Sequence, residues 1–297
     1  MSARLIALPI ALAAQGCASA VAALEPAPPA SEWGAQCKDW DDWDKPGPPF
    51  LIYGNTWYVG TCGIGAILVT GDDGHVLIDS GTNAGADVVL SNIRAAGFDP
   101  KDITLLLTSH EHWDHVGGMA KMQAVTGADL MTSEPAAEVM RSGNPGKDDP
   151  QFAIAERMEP VPAVGLYAAG NKYGDILDRL GLRFLATPGH TPGAMSWTWE
   201  SCEGSDCRTI VYADSLSPIS ADGYKFSDHP EYVAVFRMGL AELAELDCDI
   251  LLTPHPSASE MRTKLLARDM TSGMNCREYA EIIDTRLTKR LAEEVAQ

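Results

Sequence analysis

From Phe50 onward, apolar residues fall into short β-rich runs at 56–59, 66–70 and 76–78, and Gly71-Asp72-Asp73-Gly74 makes a tight turn between the last two. Apolar positions then take helical spacing over 85–96. A continuous apolar strand at 103–107 and a helix from near Val116 follow. The second half uses the same vocabulary, with strands at 182–186, 196–199 and 209–213, a helix at 231–246, a strand at 250–252 and a terminal helix from Cys276. Two β-then-α halves predict a layered α+β sandwich. Helices cover the outside of two facing sheets, and the loops at the strand ends share one rim. No internal repeat is visible.

The start of the chain reads differently. Arg4, an apolar run from Leu5 to Ala14 and the small residues Ala18-Ser19-Ala20 match an export signal over residues 1–20, with cleavage near Ala20 to Ala23. The run is too short to span a bilayer, and no later stretch reaches the ~20 apolar residues that a spanning helix needs. Ala14-Gln15-Gly16-Cys17 resembles a degenerate lipoprotein box, so a lipid anchor at Cys17 is the alternative, with Gln15 a poor fit. Residues 21–49 form a Pro/Ala spacer and an arm. The arm carries the acidic aromatic patch Trp40-Asp41-Asp42-Trp43-Asp44, ends in Lys45-Pro46-Gly47-Pro48-Pro49, and is expected to lie on a surface. Residues 50–297 are expected to form one domain.

Charge narrows the function. Of 297 residues, 41 are acidic and 22 basic, a net of −19, which repels phosphate backbones and anionic lipid alike. A nucleic-acid partner is thereby disfavoured. An exported chain meets an oxidising compartment, where the six cysteines beyond Cys17 are expected in disulfides. Cys202 and Cys207 bracket a short polar turn that a hairpin could close. Cys248 precedes a strand and Cys276 opens the last helix, so a bridge there would pin that helix to the body. Cys37 and Cys62 remain. The competing reading, a cysteine-rich metal site, lacks any Cys-x-x-Cys pair to support it.

Five of the seven histidines fall in three loop segments, each directly after an apolar strand. The densest is Ser109-His110-Glu111-His112-Trp113-Asp114-His115, where a tight loop ahead of the Val116 helix can converge four ligands. Imidazole and carboxylate at that spacing suit a borderline-soft cation such as zinc. The others are Thr187-Pro188-Gly189-His190-Thr191-Pro192-Gly193 and Leu252-Thr253-Pro254-His255-Pro256. Either lone histidine would more often be structural, but burying the four titratable groups of the first cluster without a cation would be costly. His75, in an expected turn, and His229, before Pro230, read as surface residues.

This order of motifs, HxHxDH, then a Gly-His loop, then a late histidine, resembles the metallo-β-lactamase superfamily over nearly all of the mature chain. Tyr-Val-Gly-Thr-Cys-Gly at Cys62, Pro-Gly-His-Thr-Pro-Gly at His190, Tyr-Ala-Asp-Ser-Leu-Ser at Ser215 and Thr-Pro-His-Pro-Ser at His255 make it similar to subclass B3. The cysteine pairs above also suit the disulfide-rich B3 members. The resemblance implies a four-layer αβ/βα sandwich and a periplasmic, monomeric, dizinc hydrolase of β-lactams: penicillins, cephalosporins and carbapenems. It assigns His110, His112 and His190 to one zinc and Asp114, His115 and His255 to the other, with Asp114 orienting a metal-bound hydroxide that opens the ring. It further implies that Ser215, Ser217 and Gln151 bind substrate and that Asp79 supports the metal loop from behind. Trp113 is expected to pack on the scaffold, and Glu111 to point away from the ligands. The nearest alternative is an exported metal-dependent lactonase or thioester hydrolase of the same superfamily. Such relatives bridge their metals with an aspartate from the segment that here contains Asp214.

Overall fold

The computed structural model describes residues 30–167 and 174–296. The expected signal segment and Cys17 lie outside the described residues. Helix α1 (Ala30–Gln36) leads into a meander of β1 (Phe50–Tyr53), β2 (Thr56–Tyr58), β3 (Ile67–Val69) and β4 (His75–Ile78), followed by α2 (Gly85–Ala95). Strand β5 (Ile103–Leu107) is followed by α3 (Trp113–Val116), α4 (Met119–Thr126), β6 (Asp129–Thr132), α5 (Glu134–Ser142) and β7 (Gly165–Leu166). The second half runs α6 (Gly174–Arg179), β8 (Arg183–Ala186), β9 (Met195–Glu203), β10 (Asp206–Tyr212), α7 (Pro230–Ala244), β11 (Ile250–Leu252), α8 (Met261–Ala267) and α9 (Cys276–Val295).

The strands form a seven-stranded sheet, ordered β1-β2-β3-β4-β5-β6-β7, and a four-stranded sheet, ordered β11-β10-β9-β8. Both are mixed. Strands β1 to β4 are antiparallel and β4 to β7 parallel, while β8, β9 and β10 are antiparallel and β11 runs parallel to β10. Strand alternation explains the layers. Ile67, Val69, Val76, Ile78, Leu105 and Leu107 turn one way, into a core shared with Trp197, Trp199, Ile210, Tyr212, Ile250 and Leu252 of the second sheet. The intervening Leu68, Leu77 and Leu106 turn the other way, onto Val89 and Ile93 of α2 and Met119 and Met122 of α4. In the second sheet, Val211 and Leu251 face Phe236 and Leu240 of α7 and Ile283 and Leu287 of α9. Strands covered on both faces read as unbroken apolar runs, which is why they stand out in the sequence.

The observed elements depart from the sequence expectation in several places. The helix expected from near Val116 is broken in two: a single turn, α3, ends at Val116 and α4 begins at Met119, so Asp114 and His115 lie on a helical turn rather than in a loop. His75 is not in a turn: it opens β4, half-buried, with its ring edge-on to Phe98 at 5.2 Å. His229 is exposed and stacks on Tyr224. Helices α1, α5, α6 and α8 and strands β1, β6 and β7 have no counterpart in the expectation. Yet α5 carries clear local signals: the Ser133 hydroxyl accepts from Ala136 N–H, Pro135 occupies the first turn and Gly143 ends the helix in the left-handed region at φ 68°.

Three disulfides fasten this framework. Cys202 and Cys207 lie opposite each other across the β9–β10 hairpin, Cys37 joins the arm to the loop after β2, and Cys248 ties the approach to β11 to the first residue of α9. The last bridge closes a separation of 28 residues, so replacing Cys248 and Cys276 together by serine should cost about 2–4 kcal/mol, mainly by freeing the unfolded chain. A lower urea midpoint at unchanged far-ultraviolet circular dichroism is the expected result, and an unchanged midpoint contradicts it.

Candidate metal centre

All three histidine-bearing loops leave the sheets at one rim. Strand β5 ends beside β4, and Asp79, the first residue past β4, donates its N–H to the Leu107 carbonyl. Its buried carboxylate accepts from Ser109 N–H and Ser109 Oγ, both at 2.7 Å, and from Tyr212 OH at 2.8 Å. Three donors from both sheets explain how a non-glycine residue is held at φ 65°, a conformation that L side chains normally avoid. The side chain thus anchors the residue immediately before His110. Strands β8, β10 and β11 run in one direction, so the loops after them, which carry His190, Asp214–Ser217 and His255, emerge together.

The rings converge. One ligand atom from each of His110, His112 and His190 lies within 4.8 Å of the others, and the same holds for His110, Asp114 and His115. His255 completes the group, with its Nε2 3.5 Å from Asp114 Oδ2 and its ring 4.9 Å from that of His115. All six side chains expected as ligands therefore meet at one place. His110 Nε2 and His115 Nδ1 are buried with no hydrogen-bond partner, and His115 Nε2 approaches Asp114 Oδ2 at 3.0 Å without hydrogen-bond geometry. Inward-facing buried nitrogens left bare in this way are what a cation would satisfy, and the N/O donor set fits zinc.

Electrostatics keep the rings available. Burial, reinforced by neighbouring imidazoles, pushes His110 well below its ordinary value, His190 down to about 3 and His255 down to about 4. These rings are neutral at physiological pH, the form that ligates metal. His115 moves the other way: burial opposes its charge, but Asp114 alongside, with Asp79 and Asp214 farther off, raises it. Burial likewise opposes ionisation of Asp114, and His115, His255 and His112 together hold it below the usual carboxylate range.

Behind the rings, oxygen acceptors fix the orientation of three of them. Asp214 Oδ1 lies 2.7 Å from His110 Nδ1, Asp149 Oδ2 lies 2.9 Å from His112 Nε2, and the Ser217 carbonyl lies 2.9 Å from His190 Nδ1. Asp214 is fully buried at its place against the His110 ring, and burial drives its carboxyl well up. Ser217 Oγ also approaches His190 Nδ1, at 3.1 Å, whereas Ser215 Oγ is buried and unpartnered. Gln151 Nε2 reaches to 3.4 Å from His190 Nε2. Asp149 escaped sequence reasoning because its partner is 37 residues away; its only signal is its position two residues before Gln151 in an Asp-Pro turn.

Glu111 points away from the ring cluster, yet it joins two loops. Its buried carboxylate accepts from Thr191 Oγ1 at 2.7 Å and from Gly193 N–H at 2.9 Å. A Cβ at residue 193 would lie 2.6 Å from Glu111 Oε2, so only glycine permits this approach. The arm also does more than cover a surface. Trp33 of α1 is buried against Phe50 and Tyr58, and the rings of Trp40 and Trp43 stand 6.3 and 6.1 Å from His255. Trp43 also stands 6.3 Å from Trp113, so the half-buried Trp113 packs against both the arm and the scaffold.

Comparison with known proteins agrees with this geometry. The family model of the metallo-beta-lactamase superfamily matches residues 59–203. The solved structure of MIM-2 metallo-beta-lactamase is 53% identical, with a TM-score of 0.80 over 91% of this chain and 100% of that one. MEM-A1, a subclass B3 metallo-beta-lactamase from a soil metagenome library, is 38% identical with a TM-score of 0.79 over 86% and 99%. The chain belongs to the subclass B3 metallo-β-lactamases. A more distant relative is a Mus musculus hydroxyacylglutathione hydrolase-like protein, 28% identical over 137 residues, or 46% of this chain. The chain spans 39% and 58% of the lengths of two curated relatives that it matches.

Two outcomes follow from these contacts. Replacing Glu111 by alanine strands the buried Gly193 N–H and should cost about 1–3 kcal/mol in urea denaturation, with glutamine, whose amide oxygen can still accept from Gly193 N–H, costing less; a midpoint unmoved by alanine would contradict the link. Asp41 of the arm is buried and accepts from Lys38 N–H, Asp42 N–H and Lys45 Nζ. Burial alone would raise its pKa, but Lys45 and the two amides bring it down to about 2. Its unfolded value is near 3.9, so its stabilisation is complete above about pH 4 and disappears as the pH falls through about 2. Asp41→Asn should therefore flatten the wild-type loss of stability across that window, and an identical pH profile would contradict this.

Proposed function

We propose that this chain is an exported hydrolase of β-lactam antibiotics, opening the strained amide of penicillins, cephalosporins and carbapenems with two zinc ions. The observation that carries the reading is the convergence of six ligating side chains, including buried imidazole nitrogens with no other partner. Likeness to MIM-2 metallo-beta-lactamase over 91% of this chain supports it. His110, His112 and His190 are suited to hold one ion, and Asp114, His115 and His255 the other. Zinc in such a setting supplies Lewis acidity and lowers the pKa of bound water.

The remaining roles belong to the protein. Asp114, kept ionised by the imidazoles around it, orients the attacking water and accepts from it. Ser215, whose buried hydroxyl has no partner, donates to the substrate carboxylate, with Ser217 and Gln151 beside it at His190. Asp79 keeps the loop before His110 in place. Three disulfides suit an oxidising compartment, and among the described residues no helix is long and apolar enough to cross a membrane. We assign the enzyme to the periplasm as a monomer, after removal of residues 1–20.

A chromogenic cephalosporin tests the reading. Purified protein should open the ring, lose the activity to a chelator and regain it with zinc, while native mass spectrometry counts two ions. Asp114→Asn should reduce turnover by at least about 100-fold, consistent with the loss of a positioned proton acceptor. Efficient chelator-sensitive cleavage of a lactone or thioester, without opening of the lactam, would replace this reading with the alternative.

A further inference from the structure

We infer that Asp149 is a positioning residue that couples the metal ligand His112 to the loop walling the site. The inference rests on the reading of His112 as a ligand. Residues 144–148 are exposed or half-buried, but Asp149 turns inward and is only 3% exposed. A buried carboxylate needs partners, and its two oxygens take different ones. Oδ2 accepts from His112 Nε2–H at 2.9 Å, and Oδ1 accepts from Gln151 N–H at 2.7 Å. A carboxyl oxygen accepting at Nε2 fixes the tautomer, leaving the Nδ1 lone pair to face the cation.

The other half of the contact is a turn that reaches the rest of the rim. The Asp149 carbonyl accepts from Phe152 N–H and the Pro150 carbonyl from Ala221 N–H, both at 2.9 Å. Gln151 meanwhile approaches His190. One tripeptide thus touches the first histidine loop, the second histidine loop and the segment beyond Ser217. His110 and His190 are backed by Asp214 and Ser217, which directly follow β10. His112 instead is backed from the 143–155 connection, where only short turns intervene between α5 and β7. Cation binding at His112 therefore orders that connection, and by reciprocity the ordered connection favours cation binding.

Hydrogen exchange of peptides covering 144–155, read with and without zinc alone, tests the coupling in the full mature chain. Zinc should slow this exchange in wild type. Asp149→Ala should lower zinc affinity by about 10- to 100-fold in competition with a chromogenic chelator, and should leave 144–155 unprotected even when native mass spectrometry shows full loading. Asp149→Asn is isosteric and safeguards against a folding failure of the alanine variant; it should show the same changes at smaller size. Wild-type affinity and zinc-dependent protection in these variants would overturn the proposal alone, as would wild-type exchange indifferent to bound zinc. If His112→Ala binds zinc as tightly as wild type, the ligand assignment fails first and the coupling falls with it.

Discussion

Two hydrogen bonds cross between the sheets at the rim, from Met195 N–H to the Ser109 carbonyl at 2.7 Å and from Trp197 Nε1–H to the Thr108 carbonyl at 2.9 Å. They tie the end of β5 to the start of β9, and so fix the height at which the HxHxDH segment faces the loops of the second sheet. The cluster depends on this tie. Four of its members come from one stretch, residues 110–115, and His190 and His255 reach them because the second sheet is docked at one register. Burial supplies the grip, since Thr108, Ser109 and Trp197 are almost wholly removed from water, where an unmade bond would leave a costly orphan.

The central strands and the three histidine-bearing loops were legible because their causes are local. Strands packed on both faces must be apolar throughout, and metal-binding loops must concentrate histidine and aspartate after strand ends. What escaped depends on partners distant in sequence. Asp149 is an ordinary loop acid until His112 is placed beside it. Glu111 reads as a spacer until Thr191 and Gly193 arrive. The break between α3 and α4 is a tertiary effect as well: Gly118, between the two, is so close to Ala86 and the Thr82 carbonyl that a Cβ would collide with both, and Gly118 N–H bonds to the Gly81 carbonyl. Strand β7 is two residues long and exists only by pairing with β6.

The chain is strongly acidic, yet its acids are sorted by task. Asp79, Glu111, Asp149 and Asp214 are buried near the rings, and each finds hydrogen-bond donors from other elements. None of the four belongs to either compact group of candidate ligand atoms. They set ring direction and loop position, while Asp114 alone lies among the rings as a carboxylate.

The arm makes one wall of the cleft depend on a covalent tie. Its aromatic rings stand near His255, and its fastening to the body includes the sulfur bridge between Cys37 and Cys62 and the bond from Cys62 N–H to the Lys45 carbonyl rather than any strand pairing. None of the histidine loops contains a bridged cysteine, so reduction of Cys37–Cys62 loosens the arm on that flank without touching the loops that carry the imidazoles. An oxidising medium closes that latch, so the finished cleft answers to the redox state around the protein as well as to its packing.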